Sequence, residues 1–493
     1  MHTVDPATCQ KGSLYPLVIS AITPRPVGFV STKSAAGVVN LSPYSYFNVM
    51  AHNPPTLALG ICRSPGRGGG KKDTLANIEE TKELVVHIIS EWCLEAANHT
   101  CGDFPPAVDE LTLAGFTPVP SVKVAPPRVK ECAVQMECKL KHVYDLHDSE
   151  GVPTSSIVIA EIVLFHIAEG VAGLSPGGHL VVDPFKMASI SRYGGNTYGV
   201  APDFLDIPRP NPDGSYKGGI FAPQSNESGC AAPRVGARNH TNPPPFKTDK
   251  MHTLDPAGSD SAAVYPLVIS AVAPRPIGFV CTQSTAGVVN LAPYSFFNVM
   301  SHNPPTLTLG IGRSIPRGGD KKDTLTNIEE TKELVVHIIS EWCLEAANHT
   351  CGDFPPSVNE LEVSGFTTMP SVKVGPPRVK ECAVQMECKL LHIHNLRDRH
   401  GAPSGAIVIA EIVMFHVADG VAGLSPGGHL VVDPFKMAPV SRFGGHTYGL
   451  SRVFVDLPRP NAQGVYKDGH AGPDVDVSAH EMEKDIKKHA GCE

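Results

Sequence analysis

A chain of 493 residues exceeds one ordinary domain, and an apolar content of 42% is enough for each part to bury a core. A formal charge of -8 and a pI near 6.3 exclude an electrostatic footprint for nucleic acid or an anionic membrane surface. The start, MHTVDPATCQKGSLYPL, lacks a basic patch followed by an apolar run, and no stretch approaches a membrane span. A cytoplasmic location is therefore expected, with the 13 cysteines as reduced thiols.

Taken in order, residues 27–32 form a β-branched and aromatic run, 33–37 a turn cluster and 38–41 a second run, which together predict a hairpin. Pro43 is expected to stop the ladder, leaving SPYSYFN as a loop of hydroxyls, an amide and aromatic faces suited to a planar polar ligand. Residues 56–61 read as a strand. The loop SPGRGGGKK follows, then a helix from 73 to about 83 with Asp73 as N-cap. Further strands are expected at 84–89, 134–144 and 157–167, and a helix at 91–99. Short turns and the absence of a βαβ rhythm point to an antiparallel barrel.

Residue n matches residue n+250 without a gap from Met1 to about Gly199. A unit of this length is a whole-domain duplication rather than a solenoid repeat. The expected organisation is a first domain at 1–207, a Pro/Gly/Asn-rich linker at 208–263, a second domain at 264–458 and a polar tail at 459–493. Because the second unit opens on its own Met251, a fused gene is an alternative to a natural tandem protein.

Two further segments offer ligand chemistry. RGGGKKDT at 67–74 combines glycines, lysines and a helix start that suit a phosphate, and reads equally well as solvated loop charge. SRYGGNTYG at 191–199, repeated as SRFGGHTYG, lets backbone approach a flat ligand, or forms a surface turn. Cys93, His99 and Cys101 read as small core residues and a helix-end His rather than metal ligands. No hydrolytic constellation, zinc spacing, Walker loop or Rossmann fingerprint occurs.

The ordered set PRP-(V/I)-GFV, NL-x-PYS-x-FN, PP-T-L-x-LG, KDT-x-x-NI and SR-x-GG-x-TY resembles the flavin reductase-like domain of the FMN-binding split-barrel proteins. That group includes flavoredoxin-like proteins and the reductase components of two-component monooxygenases. The resemblance covers nearly all of residues 10–200 and 260–450. It implies a mainly β fold: an antiparallel, Greek-key-like split barrel with short helices, in two tandem copies.

It also implies FMN held between two protomers, so that the units of one chain form an intramolecular pseudo-dimer. By the resemblance, Ser31, Thr32, Ser45, Tyr46, Phe47 and Asn48 line the ring and ribityl chain, with Lys72, Asp73 and Thr74 at the phosphate. Arg192, Gly194 and Gly195 approach from the C-terminal loop, and His166 stands near the flavin. The second set is Cys281, Thr282, Ser295, Phe296, Phe297, Asn298, Lys322, Asp323, Thr324, Arg442, Gly444 and Gly445, with His416. His87 departs from the family pattern, and Asp320 replaces Gly70 beside the implied phosphate, which should weaken the second site.

The expected activity is NADH- or NADPH-dependent reduction of FMN, with electrons passed to free flavin, oxygen or a partner oxygenase. Hydride transfer to a flavin needs no protein acid or base, which suits the empty list of catalytic dyads. An electron carrier reduced by a partner protein is the alternative, and a barrel that has lost flavin a third.

Overall fold

The protein is described from a computed structural model, over residues 1–10, 12–64, 68–201, 203–206, 224–226, 250–314, 318–352 and 354–457. Most of the linker expected at 208–263, the tail expected at 459–493 and Arg67 of the glycine loop lie outside the described residues.

Three antiparallel hairpins build the first unit. Gly28–Lys33 pairs with Val39–Tyr44, Phe47–His52 with Pro55–Cys62, and Val134–His147 with Pro153–Ala168. With Glu83–Ile88 they make one sheet in the order 39–44, 28–33, 83–88, 134–147, 153–168, 55–62, 47–52. The two end strands of this path, 39–44 and 47–52, are joined by Ser45 and Tyr46 alone. A sheet whose opposite edges are tied by so short a link has to curl until they meet. No ladder joins those edges among the described strands, so the barrel is split along this seam. The second unit repeats the sheet strand for strand.

Val30, Leu57, Leu59, Val86, Met136 and Phe165 fill the barrel and are essentially inaccessible to solvent, the alternate residues of strands with one face turned inward. The helix Leu14–Ala21 packs its Leu17, Val18 and Ile19 into the core of the second unit, while Val264, Leu267 and Val268 of Ser261–Ala271 join the core of the first. The first strands are exchanged in the same way. His2–Val4 pairs with Pro403–Val417, and Met251–Leu254 pairs with Pro153–Ala168.

At the centre of the contact, the Asn48 amide donates to the carbonyls of Ser295 and Phe297 at 3.0 and 2.9 Å, and Asn298 returns both bonds to Ser45 and Phe47. Near the chain's C-terminal end, Thr197–Val200 pairs with Val453–Asp456 and Thr447–Leu450 with Asp203–Asp206.

Four expectations change. Pro43 lies within the ladder opposite Phe29, because Val39–Tyr44 is an edge strand and the missing N–H faces away from its neighbour. SPYSYFN is accordingly not a loop: only its Ser45 and Tyr46 leave the sheet. Asp73 is the first residue of the helix Asp73–Thr81 and Lys72 its N-cap, with no side-chain capping bond. Residues 251–263, expected in the linker, carry an exchanged strand and the start of a helix. No helix among the described residues is long and apolar enough to cross a membrane.

Candidate functional site at the barrel seam

A cavity of about 760 Å³ opens where the seam of the first barrel meets the second unit. Its walls come from the seam itself (Ser42 to Tyr46), from Arg25, from the loop after Pro55–Cys62 (Arg63, Ser64, Gly69 and Lys72), and from Arg192 and Gly195. Tyr15 closes one side. His302 and Asn303 of the second unit close another, with His302 edge-on to the Tyr15 ring at 5.0 Å. The volume falls within the range of ligand pockets, roughly 300–1,000 Å³.

Four cationic side chains, Arg25, Arg63, Lys72 and Arg192, line the cavity against one carboxylate, Asp103. Arg25 is 1% exposed and donates to the carbonyls of Ile19 and Ile22 at the end of the first helix and to Ser45 Oγ at 3.4 Å. Burial lowers its pKa to about 10, so the guanidinium keeps its charge at neutral pH. Arg192, on the cavity wall, lies over the Tyr198 ring at 4.2 Å and donates to the Asn196 and Gly195 carbonyls at 3.3 and 2.7 Å. Lys72 stands 6.0 Å from the Tyr44 ring centre. The loop from Ser64 to Gly70 is closed by Ser64 N–H donating to Gly70 O at 3.0 Å and Gly69 N–H to Ser64 O at 2.9 Å.

Arg63 donates to Asp145 and Ser156, yet its buried Nε has no partner among the described residues. The Nε of Arg313, at the matching place in the second unit, is orphaned in the same way. A buried N–H left unpaired twice, beside a loop of small residues, fits an anionic group such as a flavin phosphate.

The structure brings Ser45, Tyr46, Lys72, Arg192 and Gly195 to this one cavity. It places others elsewhere. Ser31, Thr32 and Cys281, Thr282 are fully buried in the sheet, Phe47 and Phe297 in the cores, and Asn48 and Asn298 in the contact between units. Thr74 is 1% exposed and lies inside the barrel: Tyr44 O–H donates to its Oγ1 at 2.8 Å and it donates to Asn40 Oδ1. Asn40 in turn donates to Glu110 at 3.1 Å. Thr324 sits in the same chain of bonds with Tyr294, Asn290 and Glu360.

Asp73 and Asp323 begin their helices, and Gly194 and Gly444 pack against Ser20 and Ser270. In the second unit, Ser295 accepts from Arg275, Lys322 lies 5.7 Å from the Tyr294 ring, and Arg442 lies 4.2 Å from Tyr448 with an N–H to Gly445 O. Phe296 packs against the core of the first unit, as Tyr46 does against that of the second. Thr74→Val should cost about 1–3 kcal/mol, because Asn40 and Tyr44 lose a buried partner. A urea midpoint shift with an unchanged flavin dissociation constant is the expected pair of readings.

His166 is not on the cavity wall. Its Nε2 bonds Glu137 at 2.8 Å and its Nδ1 meets Thr253 Oγ1 of the exchanged strand at 3.2 Å. Thr154, on the same strand, lines the cavity, and twelve residues of strand separate the two by roughly 40 Å of chain. His416 makes the same contacts with Glu387 and Thr3. Sequence reasoning missed Arg25, Arg63, Tyr15, His302 and Asn303. The buried Arg of PRP was readable as unusual, but the contribution of His302 and Asn303 arises only from how the units dock.

A seven-stranded split barrel occurring twice, with a cationic cavity at the seam, defines the class: a duplicated flavin reductase-type split barrel. The profile described as the flavin reductase like domain matches residues 20–180 and 270–430, and the chain belongs to that family. It is a flavin-related oxidoreductase module. An uncharacterized protein of Halalkalibacterium halodurans is 38% identical over 207 residues, covering 42% of this chain and 96% of the relative. The uncharacterized protein YwrF of Bacillus subtilis is 36% identical over 197 residues, covering 40% and 93%.

Among solved structures, nitrilotriacetate monooxygenase component B from Bacillus cereus is 33% identical with a TM-score of 0.38, covering 41% of this chain and 96% of that one. The 2-nitrobenzoate 2-nitroreductase NbaA of Pseudomonas fluorescens is 29% identical with a TM-score of 0.36, covering 41% and 94%.

Proposed function

We propose that this chain is an NAD(P)H-dependent FMN reductase whose two units act as an intramolecular pseudo-dimer, each seam cavity completed by the other unit. The observation that carries this reading is the joint wall of the first cavity, where Arg25, Ser45, Tyr46, Lys72 and Arg192 face His302 and Asn303. Bound FMN supplies the acceptor for a nicotinamide hydride. The chain's own residues bind and orient. Arg63 and Lys72 counter the phosphate charge at the glycine loop, and Tyr46 and Tyr15 offer apolar faces. The docked second unit excludes water from the seam. No side chain has to move a proton for a hydride to transfer, which suits a cavity wall rich in fixed cations.

Purified protein should be yellow and should bleach anaerobically with NADH or NADPH. Bound FMN that neither nucleotide bleaches would replace this reading with an electron carrier reduced by a partner protein. Arg63→Ala with Lys72→Ala should weaken FMN binding at the first site by about tenfold or more, since each removes a charge-assisted contact. Asp320, where the first unit has Gly70, is exposed at the second glycine loop and adds a repelling charge. Asp320→Gly in the full chain should bring two unequal classes of FMN site together; identical isotherms before and after would remove this asymmetry.

A further inference from the structure

A second cavity, of about 650 Å³, lies between the units away from the first seam. The first unit contributes the segment from His52 to Thr56 with Lys141 and Glu161, and the second contributes the start of Ser261–Ala271 and the hairpin tip with Arg397, Arg399 and His400. Its three carboxylates all have partners, of which only that of Glu161 is cationic. Glu161 pairs with Lys141 at 2.5 Å. Asp398 accepts from the amides of His400 and Ala402, both at 2.9 Å, which closes the turn, and Asp260 accepts from the Ala262 amide at the helix start.

The arginines are not committed in that way. Arg397 donates to Gly401 O at 2.8 Å and Arg399 to Ala257 O at 3.2 Å, and neither has a carboxylate partner among the described residues. Two guanidiniums two residues apart, held by carbonyls and, for Arg399, also by the His400 ring nitrogen at 3.1 Å, leave their remaining N–H groups for an anion.

The opposite side of the molecule has the same hairpin without the charge. There Asp148 accepts from the amides of Glu150 and Val152 at 3.0 and 2.9 Å, so the turn is unchanged. Its tip carries His147, Ser149 and Glu150 in place of Arg397, Arg399 and His400, and Leu391 stands where Lys141 does. The basic tip is therefore not required by the fold. Its location gives it a use: His52 meets the Tyr265 ring at 4.9 Å, as His302 meets Tyr15 at the first flavin cavity. His52 and Asn53 thus stand both in this cavity and at the edge of the second unit's seam.

We propose that this cavity binds the phosphate-bearing end of a nicotinamide nucleotide, with Arg397 and Arg399 on a terminal phosphate and the nicotinamide passing His52 toward the second seam. The assignment of the nicotinamide end rests on the flavin reading above; the phosphate site does not. It makes the second unit selective for NADPH and leaves the first without an equivalent site.

The test uses the full chain with FMN present and 2′,5′-ADP as the probe, compared with inorganic phosphate. One 2′,5′-ADP is expected per chain, with affinity falling as salt rises. Exchanging the tip for that of the first unit (Arg397→His, Arg399→Ser, His400→Glu) should weaken binding by about tenfold or more and raise the KM for NADPH in step. The reciprocal exchange, His147→Arg with Ser149→Arg and Glu150→His, should create a second site. Equal affinity in the first variant, two equal sites in the unaltered chain, or inorganic phosphate binding as tightly as 2′,5′-ADP would each overturn the proposal. Arginine-dependent 2′,5′-ADP binding by protein that holds no FMN would keep the phosphate site and discard the flavin reading.

Discussion

Gly60→Ala together with Gly310→Ala is expected to drive the two units apart and lower stability by about 3 kcal/mol or more per site. A Cβ on Gly60 would lie 2.0 Å from the Met300 carbonyl oxygen, and one on Gly310 the same distance from that of Met50. The obstruction is backbone against backbone, with no flexible side chain to yield. The cost therefore sits at or above the upper end of ordinary overpacking, about 1–3 kcal/mol. Relief requires the strands Phe47–His52 and Phe297–His302 to back away, which also breaks the four Asn48 and Asn298 bonds. Thermal unfolding and FMN titration should fail together, because His302 and Asn303 leave the first cavity as the units part. A double variant with unchanged melting temperature and FMN affinity would mean that this contact is not the one formed in solution.

The second large effect is on acid stability. His87 and His337 are fully buried, and each ring is saturated in its neutral form: Nδ1–H donates to the carbonyl of Phe29 or Phe279 at 2.8 Å, and Nε2 accepts from the amide of Val129 or Val379 at 3.0 Å. A proton on Nε2 would face that amide N–H directly. Burial accordingly pushes both pKa values down to about 4. The unfolded chain, with an ordinary histidine near 6.5, takes up protons first as the pH falls. Stability is thus complete above about 6.5 and is lost progressively down to about 4, by about 3 kcal/mol for each ring.

His166 and His416, also lowered chiefly by burial, add in the same direction. Glu110 and Glu360 are raised by burial and act in the opposite sense. The useful reading is therefore the difference between chains. Urea midpoints at pH 7 and pH 4.5 should diverge less for His87→Gln with His337→Gln than for the unaltered protein, and parallel profiles would refute the assignment.

Much of the barrel was legible because its strands are β-branched runs broken by Gly and Pro, and because a unit repeated without a gap identifies a domain. Pro43 misled because a sequence does not say whether a strand is central or at an edge. The helix Leu14–Ala21 was not expected: LYPLVISA is apolar all round, since it buries itself in the other unit, and so shows no amphipathic period. Within the site, a hydroxyl next to a lysine reads as a phosphate ligand whichever way it points. Thr74 points inward to Asn40, and only the way the helix Asp73–Thr81 packs on the strand 39–44 decides that. His302 illustrates a different limit, since its neighbour Tyr15 is far away in sequence and belongs to the other unit.

The exchanged strands His2–Val4 and Met251–Leu254 also bear on inheritance. An assembly of two identical subunits receives every substitution twice, once at each equivalent place, so a change that helps one site is tested only together with its copy in the other. Here each sheet borrows its last strand from a neighbour encoded in the same gene. A single codon change alters one face and leaves its counterpart intact, as Gly312 opposite Cys62 and Arg399 opposite Ser149 already show. Joined copies of this kind can specialise one site while the other preserves the original trade.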